Sequence, residues 1–175
     1  MGETIIYVDG SFTVKEGLKC AGCGFYSDEF KGAKALIGNV TNQVAELFGM
    51  IKALEYCKKN KINNVVIYTD SMYVCKTATI WMHEWKENNW KTKSNKDIAN
   101  YDLILKLYKL YNKIKPKIYH MFAHKKEPKN KNSIDWRNWY GNNEADKLAK
   151  SGMLKSCHIQ INANINYSKI TVYKM

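Results

Sequence analysis

The spacing of the apolar residues changes along the chain, and the order of these changes constrains the fold more than any other feature. Three short runs in the first forty residues are typical of strands, at 4–11, 20–27 and 33–40. Helical spacing follows from Asn42 to Asn60, without a proline in the segment. These patterns predict an antiparallel meander of three strands followed by a long helix.

The rest of the chain alternates between strand and helix patterns. A continuous apolar run at 65–68 predicts a buried parallel strand, and Ser71 is placed to cap a helix that begins at Met72. A helix with a leucine stripe, a strand at 118–123 and a helix at 142–153 complete the order. We therefore expect an α/β fold, a mixed five-stranded sheet with three antiparallel strands and then parallel strands, and helices on both faces.

The last segment has a pattern of its own. From Ile159 to Tyr167 apolar residues alternate with Gln and Asn, which is typical of a half-buried strand. A turn at 168–169 would make this segment a β-hairpin, so we divide the chain into a main domain at 1–153 and a C-terminal extension at 154–175. The hairpin either packs on its own domain or pairs with another protein.

The size and composition fit one globular domain. The chain has 175 residues, of which 45% are apolar and 25% charged, and this excludes disorder as its main state. No apolar run approaches the roughly 20 residues of a membrane span, and the start lacks the pattern of a signal peptide. The sequence therefore predicts an intracellular, cytoplasmic protein that makes no contact with a membrane.

Five cysteines, an odd number, occur in a chain large enough to fold without disulfide bonds. This favours free thiols in a reducing compartment. Cys20 and Cys23 form a single Cys-x-x-Cys pair, and a tetrahedral zinc site needs four ligands, so zinc binding is disfavoured there.

The charge of the chain favours a polyanionic partner. Lys plus Arg number 28 against 16 Asp plus Glu, which gives a net charge of +12. Arg137 is the single arginine, and because arginine is the residue best suited to guanine edges, sequence-specific DNA recognition is disfavoured. Nucleic acid held through its phosphates is the expected partner, although the coding bias of an AT-rich genome would also raise the lysine count.

Four acidic residues stand at positions that suggest a shared site. Asp9 and Asp70 each adjoin a short apolar run, where a carboxylate is costly unless it is paired or bound to a metal. Glu46 and Asp146 lie in the first turns of predicted helices. If the two strands are neighbours, and both helix starts pack at that end of the sheet, all four side chains converge there. Taken singly, the helical acids could merely stabilise helix starts, and Asp70 could belong to a turn.

Such a cluster has a chemical consequence. Clustered carboxylates repel one another, and divalent cations with oxygen ligands relieve the repulsion, so Mg²⁺ is the expected ion. Two ions about 3.5–4 Å apart can bind one phosphate between them, activate water and stabilise the leaving oxygen. Hydrolysis of a phosphodiester follows as a hypothesis.

Five segments resemble, in order, those of the type 1 ribonuclease H family. Four are its motifs, and the fifth is its basic handle, at about 81–100. They are Tyr-Val-Asp-Gly-Ser at 7–11, Thr-Asn-Gln-Val-Ala-Glu at 41–46, Tyr-Thr-Asp-Ser-Met-Tyr at 68–73, the tryptophan-rich handle segment at 81–92, and Gly-Asn-Asn-Glu-Ala-Asp-Lys-Leu-Ala at 141–149. The resemblance spans residues 4–152.

The resemblance implies a ribonuclease H-like fold and a stand-alone catalytic domain at 1–153, without the amino-terminal hybrid-binding domain of many eukaryotic relatives. The family hydrolyses the RNA strand of RNA–DNA hybrids and leaves 5′-phosphate and 3′-hydroxyl ends. By their match to the motifs, Asp9, Glu46, Asp70 and Asp146 are the catalytic carboxylates, which bind two Mg²⁺ ions that Mn²⁺ can replace. A monomer is expected.

The resemblance also implies a set of substrate-binding residues. They are Thr41, Asn42, Gln43, Met72, Trp85, Trp90 and Asn100. Asn42 and Gln43 match a pair that contacts the minor groove, where amides can read the 2′-hydroxyl of RNA. Trp85 and Trp90 match handle residues, at least one of which would lie along the DNA strand. The other role open to the handle tryptophans is a hydrophobic core, above all for Trp81.

His124 matches a histidine that assists proton transfer or product release, a role that suits an imidazole because it titrates near neutrality. His83, His120 and His158 are expected on the surface or in packing. The segment at 125–140 is an insertion relative to the family, and it either contacts the substrate or is a solvated loop.

Two other interpretations stay open. A resolvase, transposase nuclease or reverse-transcriptase domain of the same fold would also use clustered carboxylates, and a non-catalytic nucleic-acid-binding module would need only the basic surface. The segment at 41–43 and the handle favour the stand-alone hybrid nuclease, and the complete set of four acids favours an enzyme.

Overall fold

A computed structural model describes residues 2–123 and 126–172, with the side chains of the last helix as far as residue 163. Five strands form one mixed sheet in the order β3-β2-β1-β4-β5. The strands are β1 (Thr4–Lys15), β2 (Leu18–Tyr26), β3 (Lys31–Leu36), β4 (Val65–Thr69) and β5 (Lys117–His120). The pairs β1–β2 and β2–β3 are antiparallel, whereas β1–β4 and β4–β5 are parallel. The predicted mixed sheet is confirmed, with strand ends shifted by a few residues.

The described residues also form five helices and one turn of π-helix. They are α1 (Asn42–Lys59), α2 (Met72–Lys76), the π-helical turn (Thr77–Trp81), α3 (Met82–Glu87), α4 (Tyr101–Ile114) and α5 (Ile134–Val172). α1 packs on β1, β2 and α4, and α5 packs on the first three strands. Within the ranges given above, none of these helices has the length and apolar character needed to cross a membrane.

Alternation along β1 assigns its side chains to the two faces of the sheet. Ile6 and Val8 are buried in the cluster that also contains Leu47 of α1. Tyr7 faces α5, where a Cβ atom on Gly141 would lie 2.2 Å from the tyrosine ring. The absence of a side chain at Gly141 therefore lets α5 approach the sheet closely enough to cover Tyr7.

Two predicted helix starts are confirmed by their caps. The Thr41 hydroxyl accepts a hydrogen bond from the Val44 amide at 3.2 Å, and α1 begins at the next residue. The Ser71 hydroxyl accepts from the Val74 amide at 3.2 Å and starts α2 at Met72.

The longest helix corrects the prediction for the end of the chain. We expected an inserted loop at 125–140 and a helix at 142–153, but α5 is helical from Ile134 onward. Ser133 caps this earlier start, since its hydroxyl accepts from the Trp136 amide at 3.1 Å and its carbonyl accepts from the Arg137 amide at 3.2 Å. The second half of the expected loop is therefore ordered as two added turns of α5.

The predicted β-hairpin in the C-terminal extension is wrong, because α5 continues without a break to Val172. The Ser156 hydroxyl donates to the Leu36 carbonyl of β3 at 2.7 Å, and the Gln160 amide donates to the Lys19 carbonyl of β2 at 2.9 Å. These contacts recur at helical spacing along α5. Tertiary packing against β2 and β3 therefore outweighs the local alternation of apolar and polar residues that favoured a strand.

The structure also corrects the expectation of five free thiols. Cys20 of β2 and Cys157 of α5 form a disulfide, with Cα atoms 5.1 Å apart, while Cys23, Cys57 and Cys75 are free. Cys20 and Cys23 are three residues apart on one strand and so point to opposite faces of the sheet. They are not able to ligate one ion together, which agrees with the weak case for zinc.

Candidate active site

The site begins where two parallel strands end side by side. β1 and β4 are neighbours, with Val8 opposite Thr69, so Asp9 and Asp70 both follow the last paired positions. Asp9 is two residues beyond Tyr7 and shares its face of the sheet, toward α5. The Gly10 amide donates to Asp9 Oδ1 at 2.8 Å and fixes this carboxylate at the strand end.

Two glycines bring α1 against this point of β1. A Cβ atom on Gly10 would lie 2.3 Å from the Glu46 amide nitrogen, and one on Gly49 would lie 2.7 Å from the Asp9 carbonyl oxygen. Only glycine permits such close backbone contact, so these two positions set Glu46 beside Asp9. Glu46 itself lies beyond the first turn of α1, which has no acidic residue, and this corrects its expected position.

Asp146 reaches the site from α5. Because α5 starts at Ile134, Asp146 lies well inside the helix and not in its first turn, contrary to our expectation. Stabilisation of a helix start therefore does not explain this carboxylate, since the macrodipole acts within the terminal turn. Lys150, one turn further along, donates to Asp146 Oδ2 at 2.7 Å.

All four carboxylates line one cavity of about 960 Å³. The structure thus brings together the four acids that the sequence places on four different elements. The other walls of this cavity are formed by the loop after β5 and by the first turns of α5. The residues that line it are Asp9, Gly10, Glu46, Tyr68, Asp70, His120, Met121, Phe122, Ala123, Pro128, Asp135, Asn138, Trp139, Asn142, Asn143 and Asp146.

The carboxylates perturb one another. Burial, and to a smaller extent the negative charges of Asp70, Asp146 and Glu46, together raise the pKa of Asp9 to about 8, against the opposing effect of the Gly10 amide. Burial also raises the pKa of Glu46, against hydrogen bonds from Ser71 and Asn42 that favour its charged form. The Ser71 hydroxyl donates to Glu46 Oε2 at 2.5 Å and the Asn42 amide donates to Glu46 Oε1 at 2.8 Å.

The donor set suits a hard divalent cation. All four candidate ligands are carboxylates, the oxygen donors that Mg²⁺ and Mn²⁺ prefer, and their mutual repulsion is what a cation would relieve. In the part of the chain that the structure describes, no three of these groups already stand at ligating distance from a common point.

Two polar residues that the sequence analysis did not assign to the site contact Asp70. His120, which we expected on the surface or in packing, lines the cavity, and its Nε2 lies 3.2 Å from the Asp70 carbonyl oxygen. The buried Asn142 donates from Nδ2 to Asp70 Oδ2 at 3.1 Å. Asn142 stands four residues before Asp146 within the 141–149 motif, and this helical spacing was the signal that could have identified it.

The predicted proton carrier, His124, lies outside the described residues, so its role stays a prediction. His158 is exposed, as expected. His83 is a packing residue, since its ring lies edge-on to Tyr108 and Tyr111 at 5.9 and 5.1 Å.

The insertion is part of the cavity wall and not a simple solvated loop. Asn138 and Trp139, on the added turns of α5, line the cavity. The only arginine of the sequence, Arg137, pairs with Asp28 at 2.7 Å and so holds this region to the turn after β2.

Three predicted substrate-binding residues lie at the start of α1, and one of them contacts Glu46. Thr41 caps the helix, Asn42 donates to Glu46, and Gln43 is exposed. Met72, on the first turn of α2, is 46% exposed. The exposed side chains of Gln43 and Met72 are therefore accessible to a substrate.

The handle residues have structural contacts as well. Trp85 and Trp90 are partly buried against the main hydrophobic core, and the Trp90 ring meets Tyr101 and Tyr108 edge-on at 5.6 and 5.3 Å. The core role that we expected above all for Trp81 therefore applies to these two residues. The predicted role of Asn100 in substrate binding stays a prediction; this residue has left-handed backbone geometry, with φ of 59°.

Comparison with known proteins agrees with this geometry. The family model described as RNase H matches residues 1–154. The chain belongs to the ribonuclease H family. The predicted family resemblance and the ribonuclease H fold are thereby confirmed.

Curated relatives of this ribonuclease H chain come from animals and bacteria. It is 32% identical over 161 residues to human Ribonuclease H1, and the aligned region covers 89% of this chain and 52% of the human protein. It is 32% identical over 160 residues to Ribonuclease H of Rickettsia typhi, covering 86% of this chain and 90% of that protein. The chain thus spans about half the length of the mammalian relatives and most of the bacterial one.

Solved structures show the same fold. The solution structure of the PFV RNase H domain has a TM-score of 0.71 and 26% sequence identity, covering 87% of this chain and 94% of that domain. The RNase H1 of Halobacterium salinarum has a TM-score of 0.58 at 21% identity, covering 88% of this chain and 99% of that chain.

Proposed function

We propose that this ribonuclease H is an endoribonuclease that hydrolyses the RNA strand of RNA–DNA hybrids. The observation that carries the proposal is the convergence of Asp9, Glu46, Asp70 and Asp146 in one cavity. Burying mutually repelling carboxylates costs stability, and the pKa of Asp9 shows that the cost is large. Such a cost is expected at a site built for function.

The side chains around the carboxylates orient them. Asn142 fixes one oxygen of Asp70, and Ser71 and Asn42 fix the two oxygens of Glu46. These hydrogen bonds hold the acids in defined directions toward the cavity. His120 lies beside Asp70, within the same cavity, and is a second candidate besides His124 to hold or move a proton.

The four carboxylates are proposed to hold two divalent cations, Mg²⁺ or Mn²⁺. When bound, such ions offset the negative charge of the scissile phosphate, promote attack by water and stabilise the leaving oxygen. The ends expected from this reaction are 5′-phosphate and 3′-hydroxyl.

The family and the charge of the chain support a hybrid as the substrate class. One solved structure of the same fold, with a TM-score of 0.68 and 24% identity, is a foamy viral protease-reverse transcriptase in complex with an RNA/DNA hybrid. The net charge of +12 suits such a polyanion. We further propose that the protein acts as a monomer inside the cell, as its sequence predicts.

The test is incubation of a labelled hybrid with the protein in Mg²⁺ and then in EDTA, beside double-stranded RNA and DNA. We expect cleavage of the RNA strand of the hybrid in Mg²⁺ alone. Asp70→Asn should abolish cleavage and keep hybrid binding, whereas Glu29→Gln, at an exposed position in the turn after β2, should cleave normally. Intact hybrid in both Mg²⁺ and Mn²⁺ would refute the proposal and favour a non-catalytic binding module.

A further inference from the structure

The active-site cavity extends well beyond the four carboxylates. Its lining also includes Phe122, from the loop after β5, and Asn138 and Trp139, from the added turns of α5. None of these side chains is a candidate metal ligand. The cavity therefore presents a second surface, continuous with the reaction site, that the hydrolysis of a phosphodiester does not require.

Two of the three side chains are aromatic, and both rings line the cavity. Phe122 is 70% exposed, an unusual state for a phenylalanine, and its ring meets His120 edge-on at 5.6 Å. Trp139 is half-buried in the cavity wall. Aromatic rings in a basic protein beside a phosphodiester site are suited to stack on nucleobases.

The third side chain supplies a fixed hydrogen-bond donor. The Tyr7 hydroxyl, which is almost fully buried, donates to Asn138 Oδ1 at 2.8 Å. Burial raises the pKa of Tyr7, so this hydroxyl keeps its proton at any working pH. With its oxygen engaged by Tyr7, Asn138 has its Nδ2 hydrogens left to donate to an acceptor in the cavity.

The helix turns that carry these residues contact neighbouring segments of the chain. Trp136 stacks on Tyr140 with ring centroids 5.0 Å apart, and its Nε1 donates to Glu127 at 3.1 Å. Arg137 pairs with Asp28 at 2.7 Å. These contacts connect the cavity wall to the turn after β2 and to the segment before α5, and any ordering of the wall before binding lowers the entropic cost of binding.

We propose that Phe122, Trp139 and Asn138 form a subsite for one unpaired nucleobase of the RNA strand, next to the scissile phosphate. The proposal rests on the proposed hybrid nuclease function. A base inside a duplex has both faces covered by its neighbours, so only a base released from pairing can enter the cavity and stack there. The subsite would favour cleavage beside ends, mismatches and junctions of a hybrid.

Three substrates of one sequence test the subsite. The first is a fully paired hybrid, the second places an abasic DNA residue opposite the RNA nucleotide beside the cut, and the third makes that RNA nucleotide itself abasic. The second and third substrates are each prepared in two versions, one altered at the nucleotide on the 5′ side of the cut and one at the nucleotide on its 3′ side. The quantity measured is kcat/KM at that cut, expressed relative to the fully paired hybrid.

Phe122→Ala and Trp139→Ala should lower the relative kcat/KM on the unpaired base by roughly 5- to 150-fold, the range expected when one base–aromatic stack is removed. They should have no effect on the relative value for the abasic RNA nucleotide, which has no base to stack. Trp139→Phe should retain the preference. Ile134→Ala, at a 68% exposed position of α5 outside the cavity, is the matched control and should behave as the wild type.

A binding measurement separates this proposal from the function on which it rests. In EDTA, with the Asp70→Asn variant and 2-aminopurine as the unpaired base, stacking should quench the fluorescence, and adding Trp139→Ala should remove most of the quenching. If the variants change kcat/KM equally on all three substrates, or leave the relative kcat/KM unchanged, the subsite proposal is wrong and the nuclease function is unaffected. Quenching without any cleavage by the wild type would support the subsite and refute the nuclease.

Discussion

The Asp9 carboxylate should lower the free energy of unfolding of the protein in the absence of divalent cations. Its pKa is about 8 in the folded chain against an ordinary value of 3.8, so the folded state binds a proton that the unfolded state releases between these values. The free energy of unfolding therefore falls as the pH rises from about 4 to about 8. Asp9→Asn removes this dependence and keeps a side-chain oxygen that can accept from the Gly10 amide.

The size of the effect follows from the pKa. At pH 7 the folded protein must hold a proton against an ordinary pKa of 3.8, which costs up to about 4 kcal/mol at about 1.4 kcal/mol per pH unit. Asp9→Asn should therefore raise the free energy of unfolding by up to about 4 kcal/mol at pH 7 and by nothing at pH 3. For a chain of this size that is a rise in Tm of roughly 8–16 °C.

The assay is thermal and urea unfolding in EDTA from pH 3 to pH 9, followed by circular dichroism. Glu29→Gln, in the exposed turn after β2, is the matched control and should change the stability by less than about 0.5 kcal/mol. Added Mg²⁺ should stabilise the wild type more than Asp9→Asn, because the ion binds the folded carboxylates. An Asp9→Asn variant no more stable than the wild type at pH 7 would refute the reasoning.

Three other features predict measurable effects. The Cys20–Cys157 disulfide closes 137 residues of chain, so its reduction should lower the free energy of unfolding by about 2–5 kcal/mol; equal urea midpoints with and without reductant would contradict this. Lys86 and Lys96 of the handle have no carboxylate partner among the described side chains. Replacing both by Ala should reduce the slope of log binding constant against log salt concentration by about 0.9 for each phosphate that these lysines neutralise. An unchanged slope would show that they do not bind phosphates. Asn142→Ala should lower kcat with little change in KM, because it frees the Asp70 carboxylate without removing it; a change in KM alone would argue for direct binding of substrate by Asn142.

Much of the active site was accessible from the sequence because its residues stand in local patterns. Asp9 and Asp70 adjoin apolar runs, and two parallel strands that end together must place such residues side by side. Asn142 and His120 were not found, since their contacts with Asp70 join residues 72 and 50 positions apart. The helical spacing of Asn142 to Asp146 hints at the first contact, but no pattern in the sequence indicates that His120 lies beside Asp70.

The sequence by itself determined the order of the strands and helices, the starts of α1 and α2 and the four acids, because each depends on residues within a few positions of one another. Tertiary structure alone decided the length of α5, its disulfide to β2 and the wall that it adds to the cavity. The alternation of residues 159–167 favours a strand locally, but α5 gains its stability from contacts with β2 and β3 that are distant in sequence. Local preference differs by small energies between helix and strand, and long-range packing is large enough to reverse it.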